Sequence, residues 1–474
     1  MAQITIVGLG PGAPGQLTRE AWICLTEISE VWLRTIHHPV VGDLPQTLQL
    51  HSFDAVYEQS ATFGDVYAHI AETILQLGKK PEGVVYAVPG HPLVGESTVA
   101  YILSQANEQQ IPVRIIEGLS FIEPALTALS YDALDGLQVM DALDITTCIH
   151  PPINPDFPAL IAQVYNRKVA SNLKLVLMNQ YPDEHPVVLV DGAGTTRETI
   201  SHVPLYAIDR EELSPLCTLF LTPLPQVSSF EGFQETIAML RSPEGCPWDR
   251  EQTHETLRMN LLEESYEVLE AIDAGNMDAL KEELGDLLSQ IVLQTQVAVD
   301  EGEFQMPDVI SAIDAKLKRR HPHVWQGLDV AGVRDVVTNW ETIKRQERKE
   351  NGKADRSLLD GIPKALPALT QAYAYGDRVG RIGFHLEKMS QLLDTVAHDL
   401  AALREAEDIH RQAHILGHML FTLVMWARIS QTDPESTLRE ANMRFAENFR
   451  KMERAQQTGE FDQLDDNALY LLWK

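Results

Sequence analysis

Apolar positions in this chain follow two different periods. Over roughly the first 225 residues, short runs such as ITIVGLG (4–10), GVVYAVPG (83–90), VRIIEG (113–118), LKLVLMNQ (173–180), PVVLVDGAG (186–194) and LCTLFLTPL (216–224) are bounded by Gly, Pro or polar turns and read as strands. Helical patterns lie between them, the rhythm of sheets covered by helices. The proline-dense PPINPDFPAL (151–160) reads as the separator of two lobes. From about residue 228 the strand signals vanish and long amphipathic helices take over. The pattern places one domain boundary near 226 and another in the charged, turn-rich ERKENGKADRSLLDGIP (347–363). The expected fold class is multidomain: a two-lobed α/β region over 1–225, then all-α regions over 226–350 and 351–474.

The helical half carries an internal repeat. KEELGDLLSQIVLQTQVA (281–298) lines up with AHILGHMLFTLVMWARIS (413–430), sharing Leu-Gly-x-x-Leu and the apolar periodicity after it. PDVISAIDAKLKRRHPHVW (307–325) and PESTLREANMRFAENFRKM (434–452) correspond in the same way. Duplication of one helical unit is the economical explanation. Glu283 and Asp286 become Ile415 and His418 in the second copy, and VAHDLAAL (396–403) keeps one acid, Asp399. The two copies therefore cannot share one metal chemistry.

Composition narrows the function classes. The 474 residues are 44% hydrophobic and 22% charged, as in soluble globular proteins. A net charge of −30 argues against nucleic-acid or anionic-membrane binding, because a phosphate surface would be repelled. The four cysteines (Cys24, Cys148, Cys217, Cys246) are widely spaced, as expected of a reducing cytoplasm. MAQITIVGLG enters a strand pattern at once, so no signal peptide and no membrane span are expected.

The densest chemistry lies in LLEESYEVLEAIDAGNMDALKEELGDLL (261–288). At about 100° per residue, Leu261, Leu262, Val268, Leu269 and Ile272 form one apolar stripe, with Glu264 at its edge and Glu267 further round. Leu284, Leu287, Leu288, Ile291 and Val292 form a second stripe, flanked by Glu283 and Asp286. A turn at Gly275 makes the helices antiparallel, so acids on facing flanks converge. Acid-rich helix faces are usually just solvated. Here, like charges recur one turn apart, which costs stability without a cation. They border apolar stripes, and the second copy keeps the stripe without the acids. Converging hard oxygen ligands suit Mg²⁺ or Mn²⁺.

This segment resembles the MazG nucleoside triphosphate pyrophosphohydrolases, whose signature is EExxE, a spacer and ExxD. Here it reads Glu263-Glu264-x-x-Glu267 and Glu283-x-x-Asp286. Flanking matches are EGCPWDREQTHETLRMNLLEESYEVLEAI (244–272), KRRHPHVW (318–325) and NWETIKRQERK (339–349). The resemblance implies an all-α, dimeric fold that hydrolyses an NTP to NMP and diphosphate with Mg²⁺ or Mn²⁺. By motif position, Glu264, Glu267, Glu283 and Asp286 are the metal ligands, with Glu263 a further ligand, the water's base or a supporting group. Lys316, Lys318, Arg319 and Lys344 are candidate phosphate contacts, with simple surface cations as the alternative. Trp248 is a candidate for base stacking or for anchoring its loop. His254, His321 and His323 are expected to support local structure. The second copy is expected to complete the bundle or the dimer interface.

The N-terminal IVGLGPGAPGQLT (6–18) nominally contains GxGxxA, but Pro11 and Pro14 disrupt the helix entry and no GK[ST] follows. Dinucleotide and P-loop readings both fall. The loop resembles the opening of the tetrapyrrole (corrin/porphyrin) methylases, as do VYAVPGHPLVGEST (85–98), IIEGLSFIEPALTAL (115–129) and LVLMNQY (175–181). That resemblance implies S-adenosylmethionine in a cleft between two α/β lobes. Gly8, Gly10, Pro11 and Gly12 would form one wall, with Pro89, Gly90, His91 and Pro92 close to the cofactor and Ser120 and Phe121 nearby. Gly90-His91-Pro92 stands where many members have Gly-Asp-Pro. The methyl acceptor stays open, as does a role of this half as a ligand sensor.

Overall fold

The computed structural model describes residues 3–60, 62–350, 357–381, 389–457 and 470. Residues 351–356, inside the stretch read as a second boundary, lie outside them. The chain divides into two compact units, Met1–Glu244 and Gly245–Lys474. Helices of eight residues or more are numbered below.

The first lobe of the first unit is a parallel sheet in the order β3-β2-β4-β1-β5. Its strands are β1 (Ile4–Gly8), β2 (Glu30–Leu33), β3 (Gln49–Ser52), β4 (Val84–Val88) and β5 (Val113–Ile116). Alternation sends Ile4 and Ile6 to one face, against α2 (Phe63–Gly78) and α3 (Ser97–Glu108). Val7 and Leu9 go to the other, against α1 (Arg19–Glu27). Burial on both faces explains why the central strands β1 and β4 are apolar nearly throughout, while the edge strand β3 (Gln-Leu-His-Ser) stays polar and largely exposed. Neighbouring strands β1 and β4 feed helices on opposite faces, which opens a crevice at their carboxyl ends.

The second lobe is a mixed sheet ordered β6-β7-β10-β8-β9. It comprises β6 (Gln138–Asp141), β7 (Ala159–Ala162), β8 (Pro186–Asp191), β9 (Thr199–Pro204) and β10 (Cys217–Leu221). Leu160, Val188, Val190 and Phe220 pack under α4 (Ile122–Leu129), and the opposite face carries α5 (Arg167–Leu177). Two expectations change here. LKLVLMNQ is mostly helix: Asn166 caps α5 by accepting from the Val169 N–H, and Val169, Leu173, Val176 and Leu177 bury at helical spacing. PPINPDFPAL does not separate the lobes, because β6 before it pairs with β7, which begins at its last two residues. The last helix of this unit is α6 (Phe230–Arg241). Its cap, Ser229, is held by Asp156 of the proline-rich loop, which also accepts from the Ser228 N–H at 2.7 Å. That tether carries the first unit past the change of pattern at 226.

The second unit is helical over its described residues. Helix α7 (Arg258–Asp273) and helix α8 (Met277–Glu301) form a hairpin. Gly275 turns at φ +64°, and Asn276 caps α8 by accepting from the Ala279 N–H at 3.2 Å. Then come α9 (Met306–Arg320), α10 (Val333–Glu350), α11 (Ala368–Gly380), α12 (Met389–Glu405), α13 (Ile409–Ile429) and α14 (Pro434–Gln457). Glu347 of α10 is nearly buried between Arg319 and Arg320 of α9, at 2.7 Å from each. A small core of Leu392, Val424 and Met425 joins α12 and α13.

The stripes expected to close the α7–α8 hairpin are only partly used. Val268, Ala271, Val292 and Leu293 are buried. Leu261, Leu262, Leu269, Ile272, Leu284, Leu288 and Ile291 are each more than a third exposed. Apolar surface on these helices is wider than one helical neighbour can cover.

Candidate active site and cofactor cleft

Glu264 and Glu267 lie one turn apart on α7, as do Glu283 and Asp286 on α8, and the antiparallel hairpin turns them towards one another. Carboxylate oxygens of Glu264, Glu267 and Glu283 all lie within 4.8 Å of one another. Partial burial and the charges of Asp286, Glu267 and Glu283 push the Glu264 carboxyl above its ordinary value. Glu283 is pushed the same way, by desolvation and then by Glu267, Glu282, Asp286 and Glu270. Mutual repulsion of this kind is relieved when a divalent cation takes one oxygen from each acid. The donor set thus fits Mg²⁺ or Mn²⁺. Asp286 acts on this group through its charge but is not among the three closest oxygens, and Glu263 is exposed outside it.

The expected phosphate contacts have intramolecular neighbours. Arg319 pairs with Glu347, Lys318 meets Asp314 at 3.0 Å, and the Lys344 ammonium lies 4.8 Å from the centre of the Trp340 ring. Lys316 is half-buried and Trp248 is exposed. The His321 ring bonds to the Leu317 carbonyl at 2.8 Å and faces Trp325 edge-on. His254 bonds to Gln294 through Nδ1, and its ring also lies within 4.8 Å of Glu301 and Glu303.

In the first unit a cavity of about 480 Å³ lies at the carboxyl ends of the first sheet, walled on its other side by the second lobe. Gly90 lines it, backed by a close-packed group of glycines at the strand ends. Gly10 and Gly90 bridge β1 and β4 through N–H to carbonyl bonds of 3.2 and 2.8 Å. Gly118 follows β5, and a Cβ there would lie 2.4 Å from the Gly90 oxygen and 2.8 Å from the Gly8 carbonyl carbon. Of the expected cofactor residues, Pro11, Pro89, Gly90 and Phe121 line the cavity. Gly8 and Gly10 are outside its lining and lie behind Gly90, Gly8 against Gly118 and Gly10 bonded to Gly90. Gly12 lies against Thr195, and the His91 ring accepts from its own loop at Leu93 N–H, 3.0 Å. Ser120 donates through both N–H and Oγ to Glu123, at 2.7 Å each, and so starts α4. Gly12, His91, Pro92 and Ser120 are not in the wall.

Sequence reasoning missed the polar side chains of this cavity. Arg34, just beyond β2, donates to Glu96 at 2.7 Å and to the Tyr57 hydroxyl at 2.9 Å. Glu96 also accepts from the Thr98 hydroxyl at 2.6 Å. The buried His38 ring is 3.0 Å from the Gly10 carbonyl through Nε2, and burial lowers its pKa. Across the cleft, the Gln163 amide donates to Asp141 at 2.6 Å. Gln163 holds φ +63°, a left-handed conformation that non-glycine residues rarely keep without a reason. That backbone conformation leaves no trace in the sequence.

A two-lobed α/β unit with a glycine-backed cleft, followed by a helical hairpin of converging carboxylates, defines a two-part protein: a methylase-like fold joined to an all-α acidic-site domain. The family description "MazG nucleotide pyrophosphohydrolase domain" matches residues 252–325, and "Tetrapyrrole (Corrin/Porphyrin) Methylases" matches 3–209. The chain is 37% identical to the uncharacterized protein YabN of Bacillus subtilis over 461 residues, covering 95% of this chain and 93% of that one. It is 42% identical over 224 residues to the nucleoside triphosphate pyrophosphohydrolase/pyrophosphatase MazG of Thermotoga maritima, covering 47% of this chain and 85% of that one. The nucleoside triphosphate pyrophosphohydrolase of Escherichia coli is 41% identical over 221 residues, which is 45% of this chain and 83% of that one. The chain belongs to the MazG nucleotide pyrophosphohydrolase family, in a form that carries a tetrapyrrole methylase-like domain ahead of the helical one.

Proposed function

We propose that this protein is a Mg²⁺- or Mn²⁺-dependent nucleoside triphosphate pyrophosphohydrolase, converting an NTP and water to NMP and diphosphate. One observation carries the reading: Glu264, Glu267 and Glu283 converge within 4.8 Å on a helical hairpin, with Asp286 close enough to raise the Glu264 pKa. The bound divalent ion would neutralise charge on the departing diphosphate and acidify the attacking water. Glu264, Glu267, Glu283 and Asp286 hold it, and Glu263, outside the converging set, is free to orient or deprotonate the water. Lys316, Lys318, Arg319 and Lys344 serve the phosphates and Trp248 the base. Incubating the full chain with each NTP and Mg²⁺ tests the reading, and failure to release NMP and diphosphate from any of them sinks it.

The apolar row left exposed on the hairpin supports a homodimer through the helical unit, where a second copy would cover it. The 351–474 region is then a degenerate second unit without catalysis: where the first hairpin has acids, His418 bonds to Asp399 at 2.6 Å. In the first unit the cavity supports S-adenosylmethionine binding, with methyl transfer or ligand sensing as its use. Four free cysteines, and no helix among the described residues long and apolar enough to cross a membrane, support a cytoplasmic location.

A further inference from the structure

We propose that the first unit's cleft takes, beside the cofactor, an uncharged or cationic ligand that contacts Asp141, and that it rejects polycarboxylates. The inference rests on reading the cleft as the S-adenosylmethionine site. It departs from the family description of that unit, whose tetrapyrroles in biosynthesis carry several carboxylates.

Among the described residues that line the cavity, Arg34 is the one lysine or arginine. It is already engaged on two sides. One nitrogen pairs with Glu96, whose side chain is 2% exposed, and another bonds to Tyr57. Drawing Arg34 to a ligand carboxylate would strand the Glu96 charge in a nearly dry site. His38, the other basic group in the wall, has its pKa lowered by burial, and its Nε2 lies 3.0 Å from the Gly10 carbonyl.

Among the described residues, the second lobe supplies no cation to the wall. Val139, Met140 and Leu216 make its apolar surface, and Asp141 its charge. Asp141 is fixed in position: one oxygen accepts from the Gln163 amide at 2.6 Å and the other from the Leu143 N–H at 2.8 Å. Gln163 makes that bond from a left-handed backbone at φ +63°. The surroundings repeat the sign, since residues 1–244 hold 11 lysines and arginines against 28 aspartates and glutamates. A polycarboxylate would find repulsion outside and, inside, a single guanidinium already paired with Glu96. A ligand with an N–H donor, neutral or positive, gains a charge-assisted hydrogen bond from Asp141. S-adenosylmethionine, net positive through its sulfonium, suits the same field.

The test uses the full chain with two fluorescent probes: uroporphyrin, an octacarboxylate, and proflavine, a flat aromatic cation. High salt screens the acidic surface. Each probe is titrated with and without S-adenosylmethionine, whose own binding is measured first by calorimetry. A missing calorimetric signal sinks the cofactor reading alone, because the probe arms without cofactor still decide the ligand class. Proflavine is expected to bind saturably at one site, and uroporphyrin not at all. Asp141→Asn, which keeps a capping side chain, should weaken proflavine about tenfold. Saturable uroporphyrin binding, absence of a saturable proflavine site, or unchanged proflavine affinity in Asp141→Asn would each overturn the proposal.

Discussion

Replacing Gly118 with alanine places a methyl carbon where the backbone leaves no space for one. It would sit 2.4 Å from the Gly90 oxygen, 2.8 Å from the Gly8 carbonyl carbon and 2.9 Å from the Gly8 Cα. All three neighbours are main chain, so no side chain can swing aside. They are also restrained, since the Leu9 N–H bonds to Val88 O at 2.8 Å and Gly10 and Gly90 bond to each other. Restoring an ordinary contact of about 3.4 Å requires the strand ends to part by about 1 Å. Overpacking of this kind costs about 1–3 kcal/mol. For a unit of this size that lowers Tm by roughly 2–12 °C. Calorimetry of the full chain should show the loss in the first unit's transition, with weaker S-adenosylmethionine binding and undiminished NTP hydrolysis. A variant with native Tm and native cofactor affinity would refute the view that three strand ends, closed to within a methyl group, back the cleft.

Glu267→Gln removes one of the three converging carboxylates; since changes around metal ligands alone cost roughly 10–100-fold, Mn²⁺ affinity by electron paramagnetic resonance should fall at least about tenfold. Unchanged Mn²⁺ affinity would remove the metal site. A Cβ at Gly285, inside α8, meets nothing within 4 Å, so Gly285→Ala should stabilise the isolated chain by about 0.5–1 kcal/mol, read by denaturant titration. A lower midpoint would show a close neighbour at that position. Hydrogen bonding to Arg320, and then Arg319, holds the Glu347 carboxyl below its ordinary value. The α9–α10 contact should therefore be fully stabilised above the unfolded glutamate value near pH 4.3 and weaken as pH falls through the lower folded one. Hydrogen exchange of α10 should report that loss, and Glu347→Gln should abolish its pH dependence.

Much of the molecule follows from local pattern. Runs at β1, β4, β8 and β10 are buried between helix layers, so their apolarity is nearly continuous and easily read. LKLVLMNQ misleads because a densely apolar helix flank imitates a buried strand, and the deciding cap, Asn166, lies seven residues upstream of Leu173. The acid cluster was legible because a tight hairpin fixes helix phase, so spacing alone predicts convergence. Arg34, Glu96, His38, Asp141 and Gln163 were not legible. They come from four separate stretches of chain, after β2, after β4, at the end of β6 and after β7, and their meeting depends on sheet order and on how the two lobes face each other. Exposure of Leu262, Leu269 and Leu288 also escapes periodicity, which marks an apolar face without saying whether this chain covers it.

The Asp399–His418 bond makes the second hairpin an internal reference for the first. One hairpin would recruit its counterion from solution; the other has a partner attached covalently through its own chain. Chelation should therefore loosen α7–α8 while leaving α12–α13 as it was, within the same molecule and the same tube. Any treatment that disturbs both alike acts on helices in general, and one that disturbs the first alone acts through an exchangeable ion.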